Sequence, residues 1–202
     1  MRKSSSISLL LFAIICVVNS FSVQGSSGYT CKTSALKATQ TETMAEVKVG
    51  DKIPSVIMAE GLQDFGKQEV DIAELIAGKK VAIFGVPGAF TPGCSKSHLP
   101  SFIEAQDELK AKGVEMTICI ATNDSYVMEA WGRTSGGTAA GIRFLSDSEA
   151  GLTKALGLLI DSPMLPRTKR FSLIAEDGVV THYFSSAEQS SDTWAPAVLS
   201  KL

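Results

Sequence analysis

Residues 80–100 read KVAIFGVPGAFTPGCSKSHLP and carry the pattern that decides the fold. They open with a continuous apolar run, which is typical of a strand buried on both faces of a sheet. Glycine and proline then interrupt the chain twice before Cys94, and a helical pattern follows from Ser95 to Lys112. A buried strand, a tight loop and a long amphipathic helix in this order predict one unit of an α/β sheet.

Strand and helix patterns keep alternating after this unit. Further strands are predicted at 114–121 and 142–146, and helices at 124–133 and 148–156. Two apolar runs, 171–176 and 179–185, flank Asp177-Gly178, which is a strong hairpin signal. The pattern therefore predicts a mixed central sheet with helices on both faces.

The composition is that of one soluble globular domain with at most an extension. The chain has 202 residues, of which 45% are hydrophobic and 20% are charged. These values exclude a collagen, a disordered chain and a disulfide-rich miniprotein. Because the net charge is only -2, we expect no nucleic acid among the partners.

The first 44 residues have the composition of targeting segments. Residues 1–20 combine Arg2-Lys3 with an apolar run at 7–18, too short for a bilayer span of about 20 residues, so we expect a signal peptide. Residues 21–44 are rich in Ser and Thr, with no acid before Glu42, like a transit peptide. Together they resemble the bipartite leaders of algae whose plastids lie inside the secretory route. The predicted destination of the mature domain, residues 45–202, is the plastid, without a membrane anchor; secretion or an endomembrane lumen is the alternative.

Cys94 is the residue most suited to chemistry. The chain has four cysteines and no Cys-x-x-Cys pair, and Cys16 and Cys31 fall in the removable leader. Cys94 should lie in the first turn of a helix at the carboxyl edge of the sheet. Such a position favours an anion, and a thiolate is the reactive form of cysteine. The surrounding Gly93, Ser95 and Lys96 do not form a core environment, so the sequence predicts a nucleophile rather than a packing residue.

The run from Pro87 through Thr91 to Cys94 resembles the peroxidatic-cysteine motif of the peroxiredoxins. Residues 84–100 are similar to the type II, or atypical 2-Cys, branch, and the similarity extends over the mature domain. The resemblance implies a thioredoxin-like fold and thiol-dependent reduction of hydrogen peroxide and alkyl hydroperoxides. It implies no metal or organic cofactor. A homodimer is also expected, through loops such as 85–93 and 123–131.

The resemblance also implies roles for individual residues. Cys94 would be oxidised to a sulfenic acid, and the Thr91 hydroxyl would face the thiolate and the peroxide. Pro87 would shield the thiolate from water. Arg170 would stabilise the thiolate and the charge on the leaving oxygen. From the residues alone, without the resemblance, the favoured interpretation is that Arg170 belongs to a solvated cluster with Arg167 and Lys169.

The route by which the sulfenic acid is resolved stays open at this level. Plant members of the branch use a cysteine at the place of Cys119, but a buried, inert thiol on an apolar strand is an equally good interpretation. Glutaredoxin with glutathione, or thioredoxin, would supply electrons in either case. A peroxide-sensing relay that passes disulfides to partner proteins is the alternative function.

His98 follows Cys94 by four residues on the predicted helix. This spacing places it beneath the nucleophile rather than beside a substrate, so a Cys-His hydrolase is not favoured. A zinc site formed with Cys119 and His182 is not favoured either, because neither Cys-His pair has the loop spacing of a structural zinc site. We expect His98 to be a surface or packing residue of the helix.

Overall fold

The structure, a computed structural model, describes residues 45–160, 162 and 165–202. The predicted signal peptide and transit-like segment, with Cys16 and Cys31, lie outside the described residues.

The central sheet is mixed and contains both parallel and antiparallel strand pairs. Its members are β1 (Ile57–Gly61), β2 (Lys67–Asp71), β3 (Lys80–Gly85), β4 (Met116–Ala121), β5 (Ile142–Ser146), β8 (Phe171–Glu176) and β9 (Val179–Ser185). The seven strands are ordered β2-β1-β5-β4-β3-β8-β9. The central strands β3, β4 and β5 are parallel, and the outer pairs are antiparallel. A separate two-stranded ribbon pairs β6 (Leu159–Ile160) with β7 (Arg167–Thr168).

Helices cover both faces of this sheet. They are α1 (Ile72–Ile76), a π-helical turn (Cys94–His98), α2 (Leu99–Glu104), α3 (Gln106–Ala111), α4 (Ser125–Thr134), α5 (Gly151–Ala155), a 3-10 turn (Ser190–Thr193) and α6 (Ala195–Leu199). Alternate side chains of β3 enter two cores. Ala82 and Phe84 pack with α2, α4 and α6, whereas Val81 and Ile83 pack with α1 and α5. The predicted mixed sheet with helices on both faces is therefore confirmed.

The hairpin predicted at Asp177-Gly178 is present between β8 and β9. Both turn residues have positive φ, 49° and 77°, as a two-residue hairpin turn with matching twist requires. None of the helices in the described part of the chain is long and apolar enough to cross a membrane.

Two helix predictions differ from the structure in detail. The continuous helix expected over 95–112 begins with the π-helical turn and breaks at Ala105, where the backbone has φ −89° and ψ 0°. The helix expected over 148–156 is shorter, because the Asp147 carboxylate accepts the N–H groups of Leu152 and Thr153 and fixes a later start.

Candidate active site

Cys94 lies at the carboxyl end of β3, where a short loop turns into a helix. Helical backbone begins at Pro92, and the Ser95 N–H donates to the Thr91 carbonyl at 2.9 Å. Cys94 therefore occupies the first turn, as the sequence predicts. The helix is locally widened, since the Leu99 N–H bonds to the Cys94 carbonyl five residues back. The Cys94 side chain is completely buried in the monomer.

A guanidinium group lies beside this sulfur. Nη2 of Arg170 donates to Sγ of Cys94 at 3.3 Å. Strand pairing explains the approach: β8 pairs with β3 so that Phe171 is opposite Gly85, and the preceding Arg170 reaches the carboxyl edge of β3. The pairing also requires Gly85, because a Cβ there would lie 2.0 Å from the Phe171 ring.

The basic run that includes Arg170 does not form one solvated cluster. Nζ of Lys169 bonds to the Glu46 carboxylate at 2.6 Å, and Nη1 of Arg167 donates to the Pro87 carbonyl at 2.6 Å. Only Arg170 of the three contacts the cysteine. The structure therefore separates three neighbouring cations that the sequence leaves equivalent.

His98 is in direct contact with Arg170, which the sequence interpretation did not foresee. Nη1 of Arg170 donates to Nδ1 of His98 at 3.0 Å, and Nε2 of His98 lies 3.0 Å from the Thr193 carbonyl. Arginine cannot accept a hydrogen bond and a carbonyl cannot donate one, so the proton is on Nε2. Burial, and then the Arg170 cation, lower the pKa of His98 to about 3. His98 is therefore a neutral acceptor that orients Arg170.

Of the two alternatives that the sequence left for His98, a surface or a packing residue, the structure shows a packing residue. The side chain has no exposed area and packs against Phe84 and Phe102 with ring centroids 5.1 and 5.6 Å away. The sequence signal was its position in the motif at residues 84–100. The spacing alone could not reveal it, because its partners come from β8 and the C-terminal segment.

Thr91 and Pro87 line the loop ahead of Cys94. The Thr91 hydroxyl donates to the Gly88 carbonyl at 2.8 Å. The hydroxyl proton is therefore used in a hydrogen bond within the loop, and the hydroxyl oxygen can still accept a hydrogen bond. The role toward the thiolate and the peroxide that the resemblance implies for Thr91 stays a prediction. Pro87 is partly buried, and its carbonyl accepts the Arg167 hydrogen bond.

Two further side chains hold this site and were not predicted to do so. The Asn123 side-chain carbonyl accepts the Ala89 N–H at 2.9 Å. Nε1 of Trp131 donates to the Ser95 hydroxyl at 3.0 Å, and its ring is buried. Both residues lie in or next to segments that resemble the peroxiredoxins.

Cys119 lies in the middle of β4, opposite Phe84 on one side and Phe144 on the other. It is fully buried, and both it and Cys94 are free thiols. Burial, and to a lesser degree the nearby Cys94, raise the pKa of the Cys119 thiol. A thiol with a raised pKa is a poor nucleophile, because the thiolate is the attacking form. In the part of the chain that the structure describes, no group of three or more His, Cys, Asp or Glu side chains could hold a metal ion.

The chain is similar in sequence and structure to known peroxiredoxins. Residues 48–198 match the sequence profile of the Redoxin family. The chain is 44% identical over 143 residues to "Peroxiredoxin-2E-2, chloroplastic" of Oryza sativa subsp. japonica, a match that covers 68% of this chain and 64% of the rice protein. The chain thus spans slightly less than two thirds of that relative. It is 43% identical over 141 residues to peroxiredoxin-2B of Arabidopsis thaliana, covering 68% of this chain and 86% of that protein.

A solved structure has the same fold. The crystal structure of reduced Prx3 in complex with hydrogen peroxide from Vibrio vulnificus has a TM-score of 0.71 and 38% sequence identity. The similarity covers 77% of this chain and 98% of the Vibrio chain.

The fold and the buried cysteine at a helix start define the class of thiol-based redox proteins with a thioredoxin-like fold. The chain belongs to the Redoxin family and, within it, to the type II peroxiredoxins. The predicted thioredoxin-like fold and the predicted family are both confirmed.

Proposed function

We propose that this protein reduces hydrogen peroxide and alkyl hydroperoxides through the Cys94 thiolate. The sulfur attacks the hydroxyl oxygen of the peroxide, an S–O bond forms and the O–O bond breaks. Cys94 becomes a sulfenic acid, and the leaving alkoxide or hydroxide takes a proton from solvent to give an alcohol or water. The peroxide is reduced by the two electrons that the sulfur loses.

The contact of Arg170 with Cys94 carries this proposal. The guanidinium is a permanent cation, and its donor lies 3.3 Å from the sulfur. A fixed cation at this place stabilises the thiolate before the reaction and the negative leaving oxygen during it. The neutral His98 keeps the other edge of the guanidinium occupied, so Nη2 stays directed at the reacting sulfur.

Thr91 and Pro87 have supporting roles in the proposed reaction. The Thr91 oxygen, whose proton is held by the Gly88 carbonyl, would accept a hydrogen bond from the peroxide. Pro87 would cover the thiolate side of the loop and exclude water. Both roles require the loop to keep its shape while peroxide enters.

The sulfenic acid would be reduced by thiols from outside the chain. The burial of Cys119 and its raised pKa favour this route over attack by Cys119. Two thiols of glutathione with glutaredoxin, or of thioredoxin, would return Cys94 to the thiol and release one water and one disulfide. Cys119 could act as the resolving thiol only after the β4 region opens.

The proposed location is the plastid, with the leader at residues 1–44 removed. Its composition and the chloroplastic names of the rice relative and of an Arabidopsis relative support this destination. A homodimer through the segments 85–93 and 123–131 is also proposed, although residues 125–131 belong to α4 and not to a loop as the sequence analysis expected. Phe90 and Tyr126 in these segments are about half exposed in the monomer, which supports an apolar contact there.

Peroxide-dependent oxidation of the reductant tests the proposed activity. We expect the purified protein to turn over hydrogen peroxide and cumene hydroperoxide with glutaredoxin and glutathione or with thioredoxin. The matched control is Cys94→Ser in the same assay. No turnover with either reductant and either peroxide would contradict the proposal.

A further inference from the structure

Arg167 lies three residues before the arginine that contacts Cys94 and meets the other end of the active-site loop. Its Nη1 donates to the Pro87 carbonyl at 2.6 Å. The same nitrogen points at Gly88: a Cβ at Gly88 would be 2.4 Å from Nη1 and 3.6 Å from Cζ. Gly88 does not have positive φ, so a side chain there would be opposed by this contact and not by the backbone conformation, and it would have to displace the guanidinium.

The segment that carries Arg167 is itself attached to the sheet. The Thr122 hydroxyl, just after β4, donates to the Pro166 carbonyl at 2.7 Å. Residues 166–167 therefore bridge the carboxyl ends of β3 and β4 by two side-chain hydrogen bonds. A charge-assisted hydrogen bond from a guanidinium is the stronger kind, and the planar group restricts its geometry.

The loop beyond Gly88 leads directly to the reactive residues. The Gly88 carbonyl accepts the Thr91 hydroxyl at 2.8 Å, and the Ala89 N–H is held by Asn123. The Thr91 carbonyl then accepts the Ser95 N–H in the turn that contains Cys94. Arg167 thus holds the start of a hydrogen-bonded segment whose other end places Thr91 and Cys94.

We propose that Arg167 is a positioning residue for peroxide reduction, acting through Pro87 and Gly88 on the orientation of Thr91. It makes no hydrogen bond to Cys94 within the described residues, so its effect is on peroxide placement rather than on the sulfur. This inference rests on the proposed peroxidase function. It assigns different tasks to the two arginines, since Arg170 acts on the sulfur and Arg167 acts on the loop.

The test compares two reactions of Cys94 in the purified protein. Stopped-flow oxidation by hydrogen peroxide depends on peroxide placement, whereas alkylation by iodoacetamide depends on the reactivity of the sulfur and on access to it, but not on the orientation of a peroxide. For Arg167→Met we expect the peroxide rate constant to fall by about tenfold or more, because small misplacements of reacting groups cost up to roughly 100-fold. The alkylation rate of this variant should stay within about twofold of the wild-type rate. Arg133→Met removes the same charge from an exposed helical site and should change neither rate.

Two further variants separate positioning from folding. Arg167→Lys keeps a charged donor for the Pro87 carbonyl and should recover part of the peroxide rate. In Gly88→Ala the added methyl group would displace the Arg167 guanidinium from the loop, so this variant should reproduce the effect of Arg167→Met. The double variant should be no slower than the slower single one, because both changes break the same contact.

Three results would overturn the inference. Equal losses in both rates would assign Arg167 an effect on the sulfur, and an unchanged peroxide rate in Arg167→Met would assign it none. Additive losses in the double variant would mean that Gly88 and Arg167 act separately. If Arg167→Met does not fold, Gly88→Ala and Arg167→Lys decide the question by the same comparison of the peroxide rate with the alkylation rate. A wild-type protein that fails to react with peroxide refutes the proposed function instead.

Discussion

Arg170 donates a hydrogen bond from Nη1 to Nδ1 of His98 at 3.0 Å and a second one from Nη2 to Sγ of Cys94. The histidine is neutral and fully buried, and its Nε2 proton is held by the Thr193 carbonyl. The cation that faces the sulfur is therefore oriented from behind by a residue that does not change charge in the neutral pH range. This relationship connects the reactive helix turn, β8 and the C-terminal segment.

Replacing the reactive sulfur should remove activity without removing the fold. In Cys94→Ser we expect no measurable peroxide turnover, because the hydroxyl does not ionise near neutral pH. Far-UV circular dichroism should be unchanged, since serine has nearly the shape of cysteine. Cys119→Ser is the matched control and should keep the first oxidation. Turnover retained in Cys94→Ser would contradict the site assignment.

Removing the cation should slow the reaction with peroxide strongly. For Arg170→Met we expect the second-order rate constant of Cys94 oxidation to fall by about 100-fold or more, the usual effect of losing one donor that stabilises a developing negative charge. Stopped-flow tryptophan fluorescence measures it, with Arg133→Met as the control for loss of a surface arginine. A decrease of less than about threefold would show that Arg170 is not part of the chemistry.

The buried His98 should make stability depend on pH below neutrality. Its pKa is lowered from 6.5 to about 3 in the folded protein, so between these values the unfolded state binds the additional proton. Stability should therefore fall as the pH decreases below about 6.5, with a slope approaching about 1.4 kcal/mol per pH unit, and this contribution should be constant above it.

Urea denaturation of wild type and His98→Gln at a series of pH values isolates this contribution. As the pH falls from 6.5 towards 4, the unfolding free energy of the wild type should decrease more than that of the variant. A constant difference over that range would mean that His98 takes up its proton in the folded protein as easily as in the unfolded chain.

Cys119 should not limit recycling. Because it is fully buried between Phe84 and Phe144, we expect Cys119→Ser to keep the wild-type steady-state rate with glutaredoxin and glutathione and with thioredoxin. The variant should be compared with wild type in both assays on the same preparation. A selective loss of the thioredoxin-supported rate would identify Cys119 as the resolving thiol.

The sequence predicted the features that depend on local patterns. The strands β3, β4, β5 and β8 were foreseen because their apolar runs are largely buried, and β9 because it follows the Asp177-Gly178 hairpin signal. The helix start near Cys94 followed from its glycine and proline spacing. The β1–β2 hairpin was missed because β2 is largely polar and exposed and the apolar part of β1 is only three residues long, so the pair lacks a clear apolar signal.

The hydrogen-bonding partners within the site could not be derived in the same way. Arg170, Arg167 and Lys169 are neighbours of one chemical type, and their different contacts arise from the pairing of β8 with β3 and of β6 with β7. His98 was judged by its helix spacing alone, although its partners come from residues more than 70 positions away. Such contacts are set by tertiary packing.

A single-turnover oxidation of the Cys119→Ala variant tests the central claim most directly, because Cys94 is then the remaining cysteine of residues 45–202. The reduced protein is mixed with one equivalent of hydrogen peroxide, quenched with dimedone and analysed by intact and peptide mass. We predict rapid, stoichiometric dimedone labelling of Cys94, which reports the sulfenic acid. An unlabelled Cys94 together with unconsumed peroxide would contradict the account.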